Sequence, residues 1–117
     1  MTPASTNTKL LFVCSRNQWR SRTAEEIFKN LPGYAVKSAG TEPSARIRVT
    51  EGLVSWADHI LVMERKHRAI LLERFPETLR GRQIHCLDIP DDYTYMDPDL
   101  VTSLQSALTQ HLGIVFE

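Results

Sequence analysis

Residues 13–21 read VCSRNQWRS, and the patterns on either side of this stretch decide the fold. Before it, residues 9–13 (KLLFV) form the apolar run of a strand that is buried on both faces. After it, apolar residues over 24–31 recur at the spacing of an amphipathic helix. Cys14 is therefore predicted to lie at the carboxyl end of a strand, with a helix beginning just beyond it.

Strand-like and helix-like segments continue to alternate along the chain. Further strand-like runs lie at residues 34–39, 59–64 and 83–89. The pattern between and after them predicts a short helix capped by Thr50, a helix over 66–75, and a helix that begins at Asp97 and Pro98. Strands that alternate with helices form right-handed crossover units, so we expect an α/β fold with a parallel sheet covered on both faces. Such sheets bind ligands at the carboxyl ends of their strands, where Cys14 is predicted to lie.

The composition is that of an ordinary globular domain. The chain has 117 residues, of which 42% are hydrophobic and 24% are charged, and this fits one domain with a single core. We expect the domain to span residues 9–117 and the polar residues 1–8 to form a flexible tail. The sequence shows no secretory signal pattern and no apolar run near the roughly 18 residues of a membrane span. We therefore expect a cytoplasmic protein that does not bind membranes.

The cysteines and histidines do not predict a metal site. Cys14 and Cys86 both lie in strand-like runs, which supports neither a disulfide framework nor zinc binding. The histidines are scattered without the spacing of metal ligands. They are His59, His67, His85 and His111. We predict no metal and no cofactor.

The charges are unevenly distributed, although the net charge is zero and gives no argument for nucleic-acid binding. Residues 1–48 carry eight Lys and Arg against three acids, whereas residues 81–117 carry one Arg against six acids. Two solvated faces of opposite charge would give these counts. An anion site around Cys14 that faces a carboxylic acid would give them as well.

The turn after Cys14 has the residues of an anion site. A loop that leads from a strand into a helix directs backbone N–H groups inward and adds the positive end of the helix dipole. That field favours the thiolate of a cysteine at its centre, so Cys14 is a candidate nucleophile. Arg20 can bind two phosphate oxygens, Ser21 can donate a hydrogen bond to the thiolate, and Asn17 suits a left-handed turn. The alternative is a structural cysteine with an arginine nearby by chance.

Four motifs together resemble the low-molecular-weight protein tyrosine phosphatases. They are FVCSRNQWRS at 12–21, SAGT at 38–41, ADHILVME at 57–64 and DPD at 97–99, and they cover nearly the whole chain after residue 8. The resemblance implies a three-layer, doubly wound sheet of four parallel strands. It also implies metal-independent hydrolysis of phosphotyrosine or other phosphate monoesters through a phosphocysteine intermediate.

The resemblance assigns roles to individual residues. It makes Cys14 the nucleophile, Arg20 the arginine of the phosphate loop, and Asp97 the general acid. An Asp before Pro is also a good helix N-cap, and Asp91 and Asp92 remain alternative acids. The phosphate-binding residues would be Ser15, Arg16, Asn17, Gln18, Trp19 and Ser21. The expected partner is a phosphorylated protein or a small phosphate monoester, with no nucleic acid, and the chain is expected to be a monomer or a weak dimer.

The chain departs from the family pattern inside and outside the loop. Arg16 replaces the usual glycine, Trp19 replaces a frequent second cysteine, and Arg22 replaces the usual proline. The segment 42–56 is shorter than usual, so specificity for phosphotyrosine does not follow from the resemblance.

Residues outside the loop offer two further sources of specificity. The aromatic rings of Tyr93 and Tyr95 could stack on a substrate or simply pack at the rim. Arg46 and Arg48 could contact a second anionic group or form a solvated basic loop.

Two other functions remain as alternatives. Arsenate reductases share this fold, but their reaction passes electrons through further cysteines, and this chain has only Cys86. A phosphate-binding module without activity is the other alternative. Such a module would not need a cysteine, an arginine and an acid together.

Overall fold

The computed structural model describes residues 7–116, which form a four-stranded parallel sheet flanked by helices. The strands are β1 (Thr8–Cys14), β2 (Tyr34–Gly40), β3 (His59–Val62) and β4 (Gln83–Cys86). The helices are α1 (Arg20–Phe28), α2 (Glu51–Trp56), α3 (Arg65–Arg74) and α4 (Pro98–Leu112). The predicted α/β fold with a four-stranded parallel sheet is confirmed. Of the predicted tail, residues 1–6 lie outside the described residues, and Thr8 is the first residue of β1.

The central position of β1 explains why its residues are apolar throughout. The strand order is β2-β1-β3-β4, and β1 pairs with β2 on one side and with β3 on the other. One set of side chains, with Leu10 and Phe12, packs against α1 and α4. The alternate set, with Leu11 and Val13, packs against residues of α2 and α3. Cys14 therefore ends a strand that is covered by helices on both faces.

The carboxyl end of β1 is also the point where the strand order reverses. The chain passes from β1 through α1 to β2 on one side, and then through α2 to β3 on the other side of β1. The loops that follow β1 and β3 leave in opposite directions and open a crevice between them. The sequence reaches this crevice at Cys14.

Strands β3 and β4 end at Val62 and Cys86, earlier than the apolar runs at 59–64 and 83–89 predicted. Hydrogen bonds continue past β4, since the Leu87 N–H donates to the Val62 carbonyl at 2.8 Å and the Ile89 N–H donates to the Met63 carbonyl at 2.9 Å. Regular pairing nevertheless stops, because Glu64 becomes the N-cap of α3 and Asp88 takes a left-handed backbone conformation with φ of 54°. These two turns direct the segments after β3 and β4 toward the end of β1.

The helix caps follow the sequence. Thr50 accepts a hydrogen bond from the Leu53 N–H, and Asp97 accepts one from the Asp99 N–H at 2.9 Å. Pro98 occupies the first turn of α4, where its missing N–H costs nothing. No helix within residues 7–116 combines the length and the apolar character needed to cross a membrane.

Gly40, in the SAGT motif, lies where two backbone segments come too close for a side chain. A Cβ atom at this position would lie 2.6 Å from the Ser15 carbonyl oxygen and 2.6 Å from the Ala45 Cβ. The carbonyl belongs to the loop after Cys14, so the lack of a side chain at Gly40 lets that loop pack against β2. The glycine is required for space rather than for a positive φ.

We predict that Gly40→Ala destabilises the protein, because the new methyl group displaces the loop backbone. Overpacking of this kind costs about 1–3 kcal/mol, to be measured by urea unfolding. Gly52→Ala is the matched control, since its nearest non-neighbouring atom would be 3.8 Å away and alanine favours the helix. Equal unfolding free energies for Gly40→Ala and the wild type would contradict this account.

Candidate active site

A cleft of about 220 Å³ opens at the carboxyl end of β1. Most of its lining comes from the end of β1, the loop that follows and the first residue of α1, namely Cys14, Ser15, Arg16, Gln18, Trp19 and Arg20. The rest comes from distant segments, namely Glu42, Lys66 and Asp91. The cleft thus brings the cysteine, the arginine and two carboxylic acids together.

Asn17 fixes the shape of the loop. Its backbone is left-handed, with φ of 58°, as its residue type predicted, and the residue is fully buried. Its side-chain Nδ2 donates to the Ser21 Oγ at 2.8 Å and to the Ser38 Oγ at 2.9 Å. Ser38 belongs to β2, so Asn17 ties the loop both to the start of α1 and to the neighbouring strand.

The Cys14 sulfur receives hydrogen bonds from the loop itself. The thiol is 3% exposed, its Sγ lies 2.9 Å from the Ser21 Oγ, and the Asn17 backbone N–H donates to it at 3.3 Å. The Ser21 hydroxyl accepts from Asn17, and its own hydrogen can point to the sulfur or to the Ala39 carbonyl, which lies 3.4 Å away. The sulfur therefore lies within hydrogen-bonding distance of one backbone N–H and one hydroxyl.

Arg20 is buried and held by two oxygen acceptors. Its side chain is 3% exposed, and its Nη1 donates to the Glu64 Oε1 and to the Ile89 carbonyl, each at 2.8 Å. Burial by itself would raise the pKa of the Glu64 carboxyl. The hydrogen bond from Arg20 and the charge of Arg20 outweigh this effect, with smaller contributions from Lys66 and His67, so the pKa is lowered. The guanidinium is therefore oriented before any ligand enters the cleft.

The segment after β2 supports the outer side of the loop. The Thr41 and Glu42 N–H groups donate to the Cys14 and Ser15 carbonyls, each at 2.9 Å. Arg46 donates from its backbone to the Arg16 carbonyl at 3.0 Å and from its Nε to the Asn17 carbonyl at 3.1 Å. Arg46 therefore braces the loop, and its Nη2 lies 3.7 Å from the Glu25 Oε1.

His67 lies behind the loop and is fully buried. Its Nε2 lies 2.9 Å from the Ser15 Oγ, and its Nδ1 accepts from the Glu64 backbone N–H at 3.1 Å. Burial, followed by the charge of Arg20, lowers the pKa of His67 to about 4. The imidazole is therefore neutral at neutral pH.

The three acids proposed from the sequence lie in different places. Asp97 does not line the cleft, and its carboxylate caps α4 through the Asp99 N–H. Asp91 does line the cleft, and its Oδ1 lies 3.8 Å from the Arg20 Nε. Asp92, the other alternative, is exposed and is not part of the lining. The left-handed turn at Asp88 brings the chain back over the cleft before it reaches α4.

One of the three candidate aromatic rings reaches the cleft. Trp19 lines it and is 43% exposed, so its ring can contact a substrate. Tyr95 instead packs under the Arg22 guanidinium, 4.6 Å from the ring centroid. Tyr93 packs against the core cluster beneath α4. Tyr93 and Tyr95 therefore serve as packing residues, the second of the two interpretations given from the sequence.

The sequence interpretation missed three residues that complete the site. Glu64 orients Arg20, Lys66 lines the cleft, and His67 supports Ser15. A signal was present, because all three follow β3, whose carboxyl end lies beside that of β1 in a parallel sheet. Polar residues directly after a neighbouring strand are candidates for the same site.

Cys86 does not belong to the cleft. It ends the edge strand β4, and its thiol donates to the Asp88 Oδ1 at 3.4 Å. Burial raises the pKa of this thiol. No cluster of three or more His, Cys, Asp or Glu side chains suited to a metal ion occurs in the part of the chain that the structure describes.

Comparisons with known proteins show similarity in sequence and in fold. No family model matches the sequence. A protein-arginine-phosphatase of Geobacillus stearothermophilus is 33% identical, over 59% of this chain, and the match spans 63% of that relative's length. Wzb of Vibrio vulnificus, solved with benzylphosphonate, is 27% identical with a TM-score of 0.65, covering 86% of this chain and 91% of that one.

The tyrosine phosphatase Wzb of Escherichia coli K30, solved with phosphate, has the same fold. Its TM-score is 0.71 at 23% identity, covering 89% of this chain and 95% of that one.

We predict that Asn17→Ala destabilises the protein. It removes both donors of a buried amide and places alanine in a left-handed conformation, and a lost buried hydrogen bond costs about 1–3 kcal/mol. Urea unfolding measures the change. Asn30→Ala, at an exposed position after α1, is the matched control. Similar stabilities for the two variants would show that the Asn17 contacts contribute little.

Proposed function

Because this chain belongs to the low-molecular-weight phosphotyrosine protein phosphatase family, we propose that it hydrolyses phosphate monoesters through a phosphocysteine intermediate. One observation supports this most directly. The Cys14 sulfur, the Arg20 guanidinium and the Asp91 carboxyl line a single cleft at the start of a helix. Phosphotyrosine in proteins and small aryl phosphates are the proposed substrates.

The first step transfers the phosphoryl group to Cys14. The thiolate attacks phosphorus, the sulfur–phosphorus bond forms, and the bond to the leaving oxygen breaks. Loop N–H groups and Arg20 stabilise the charge on the phosphoryl oxygens. Asp91, protonated at this stage, gives its proton to the leaving oxygen, so that a neutral alcohol or phenol departs.

The second step releases phosphate. Asp91 is now ionised and takes a proton from a water molecule as that water attacks phosphorus. The sulfur–phosphorus bond breaks, and Cys14 leaves as a thiolate that accepts hydrogen bonds from Ser21 and Asn17. Each chemical group is thereby restored for the next cycle.

Asp91 replaces Asp97 in the role of general acid in this proposal. A general acid must reach the leaving group directly or through one water molecule. Asp91 lines the cleft and is 59% exposed, whereas Asp97 is engaged as the cap of α4. Asp97 therefore retains the structural role that the Asp-Pro sequence also predicts.

Phosphoarginine in proteins is a second candidate substrate. Two carboxylates that line the cleft, Asp91 and Glu42, could pair with a guanidinium attached to the phosphoryl group. Among the lining residues, only Trp19 is aromatic. A relative at 33% identity is a protein-arginine-phosphatase. The same cysteine chemistry would break a phosphorus–nitrogen bond, with Asp91 protonating the leaving nitrogen.

Arsenate reduction is less compatible with the position of Cys86. Cys86 pairs in register with Val62 of β3, and Val62 pairs with Val13 of β1, so two strand spacings separate the cysteines. These spacings add to about 10 Å, whereas a disulfide requires Cα atoms within about 7 Å. An internal disulfide would need movement of the sheet backbone.

We predict that Cys14→Ser abolishes hydrolysis while binding of inorganic phosphate persists, because the loop amides and Arg20 remain. Turnover is measured with phenyl phosphate, a phosphotyrosine peptide and a phosphoarginine peptide, and the wild type identifies the preferred class. Cys86→Ser is the matched control and should retain wild-type turnover. Undiminished turnover by Cys14→Ser would contradict the assignment of Cys14 as the nucleophile.

We predict that Asp91→Asn lowers kcat/KM, which reports formation of the phosphocysteine and not its hydrolysis, by about 10²–10⁴-fold for phenyl phosphate, whose leaving group is poor. The loss should be much smaller for 2,4-dinitrophenyl phosphate, whose leaving group departs without protonation. Asp97→Asn is the matched control, because asparagine is also a good N-cap and the residue lies outside the cleft. If Asp97→Asn shows the leaving-group dependence instead, the assignment of Asp91 is wrong.

A further inference from the structure

The buried imidazole of His67 takes no direct part in the proposed reaction, yet it contacts a residue of the cleft. Ser15 lines the cleft directly after Cys14, and its Oγ lies 2.9 Å from the His67 Nε2. Within residues 7–116, His67 is the one hydrogen-bonding partner of this hydroxyl. The direction of that hydrogen bond decides what Ser15 can offer a ligand.

The second contact of the ring fixes the direction. The Glu64 backbone N–H lies 3.1 Å from the His67 Nδ1 and can only donate, so Nδ1 carries no hydrogen. A neutral imidazole has one hydrogen on nitrogen, which must then lie on Nε2. The Nε2–H therefore donates to the Ser15 oxygen, and the Ser15 hydrogen is left for another acceptor.

We propose that His67 is a positioning residue that directs the Ser15 hydroxyl hydrogen into the cleft, where it binds an oxygen of the phosphoryl group. The identity of that ligand rests on the proposed function. The hydrogen-bond chain runs from the Glu64 backbone through the ring to Ser15, and it adds one donor to those of the loop amides and Arg20. With a hydrogen on both nitrogens, His67 could not accept from Glu64.

The charges around the ring keep it neutral. Arg20 of α1 and Lys66 of α3 oppose a positive charge on the ring, whereas Glu64 and Asp91 favour it. Burial and the nearby guanidinium outweigh the two carboxylates. The fixed tautomer is therefore expected to persist across the neutral pH range.

The tautomer is tested on the wild-type protein by ¹⁵N NMR of the imidazole rings between pH 5 and 8. The His67 signal is assigned by its loss in His67→Gln. We expect a hydrogen on Nε2, a bare Nδ1 and no titration over this range. A hydrogen on Nδ1, or titration near the ordinary value of 6.5, would overturn the proposal.

The coupling to Ser15 is tested by a double-mutant cycle on the affinity for inorganic phosphate. Ser15→Ala should weaken phosphate binding on the order of tenfold, since it removes a hydrogen bond to a charged ligand. His67→Leu should weaken binding similarly in the wild type and by less than about twofold in Ser15→Ala. Equal effects of His67→Leu in both backgrounds would show that His67 does not act through Ser15.

Two controls separate this role from a general loss of structure. His67→Gln offers an amide N–H to Ser15, so we expect it to retain affinity within about threefold. Ser55→Ala, on the exposed side of α2 and outside the cleft lining, should leave the affinity unchanged. A loss in His67→Gln as large as that in His67→Leu would contradict the proposal.

Neither measurement depends on turnover. A protein that binds phosphate with the expected coupling but hydrolyses no substrate would refute the proposed function and leave this inference standing. A protein that hydrolyses aryl phosphates but shows no coupling between His67 and Ser15 would refute this inference and leave the proposed function standing.

Discussion

The buried amide of Asn17 is the contact on which the rest of the site depends. Its left-handed backbone reverses the chain within a few residues of Cys14, and its side chain joins Ser21 at the start of α1 to Ser38 of β2. These hydrogen bonds hold the short loop in the conformation in which the Asn17 backbone N–H donates to the Cys14 sulfur. Ser21 also contacts the Cys14 sulfur at 2.9 Å, so the Asn17 amide and the sulfur both contact the hydroxyl in the first turn of α1.

The loop is also supported from outside by segments that are distant in sequence. The backbone of residues 41–46 donates to loop carbonyls, and Gly40 leaves space for that contact because it has no side chain. On the other side, Glu64 orients Arg20, and His67 contacts Ser15. A preorganised anion site avoids the free-energy cost of ordering these groups when a ligand binds.

The charges of the site are balanced before a phosphoryl group enters. Buried Arg20 is paired with Glu64 and lies near Asp91, while Lys66 stands at the edge of the cleft. An entering dianion competes with these carboxylates for the guanidinium. The proposed proton transfer from Asp91 and the choice between the two proposed substrate classes therefore both depend on how the acids of the cleft share the positive charge.

The sequence by itself determined the alternating strands and helices, the position of Cys14 at the end of β1, the left-handed turn at Asn17, and the caps of α2 and α4. These features depend on the periodicity of apolar residues and on backbone preferences, both of which are set by residues close together in the sequence. Only the tertiary structure decided which acid faces Cys14 and what surrounds Arg20. Asp91 reaches the cleft because β4 ends at Cys86 and Asp88 turns the chain, whereas Asp97 caps α4. Such contacts join residues far apart in sequence, and spacing alone does not encode how the strands bring them together.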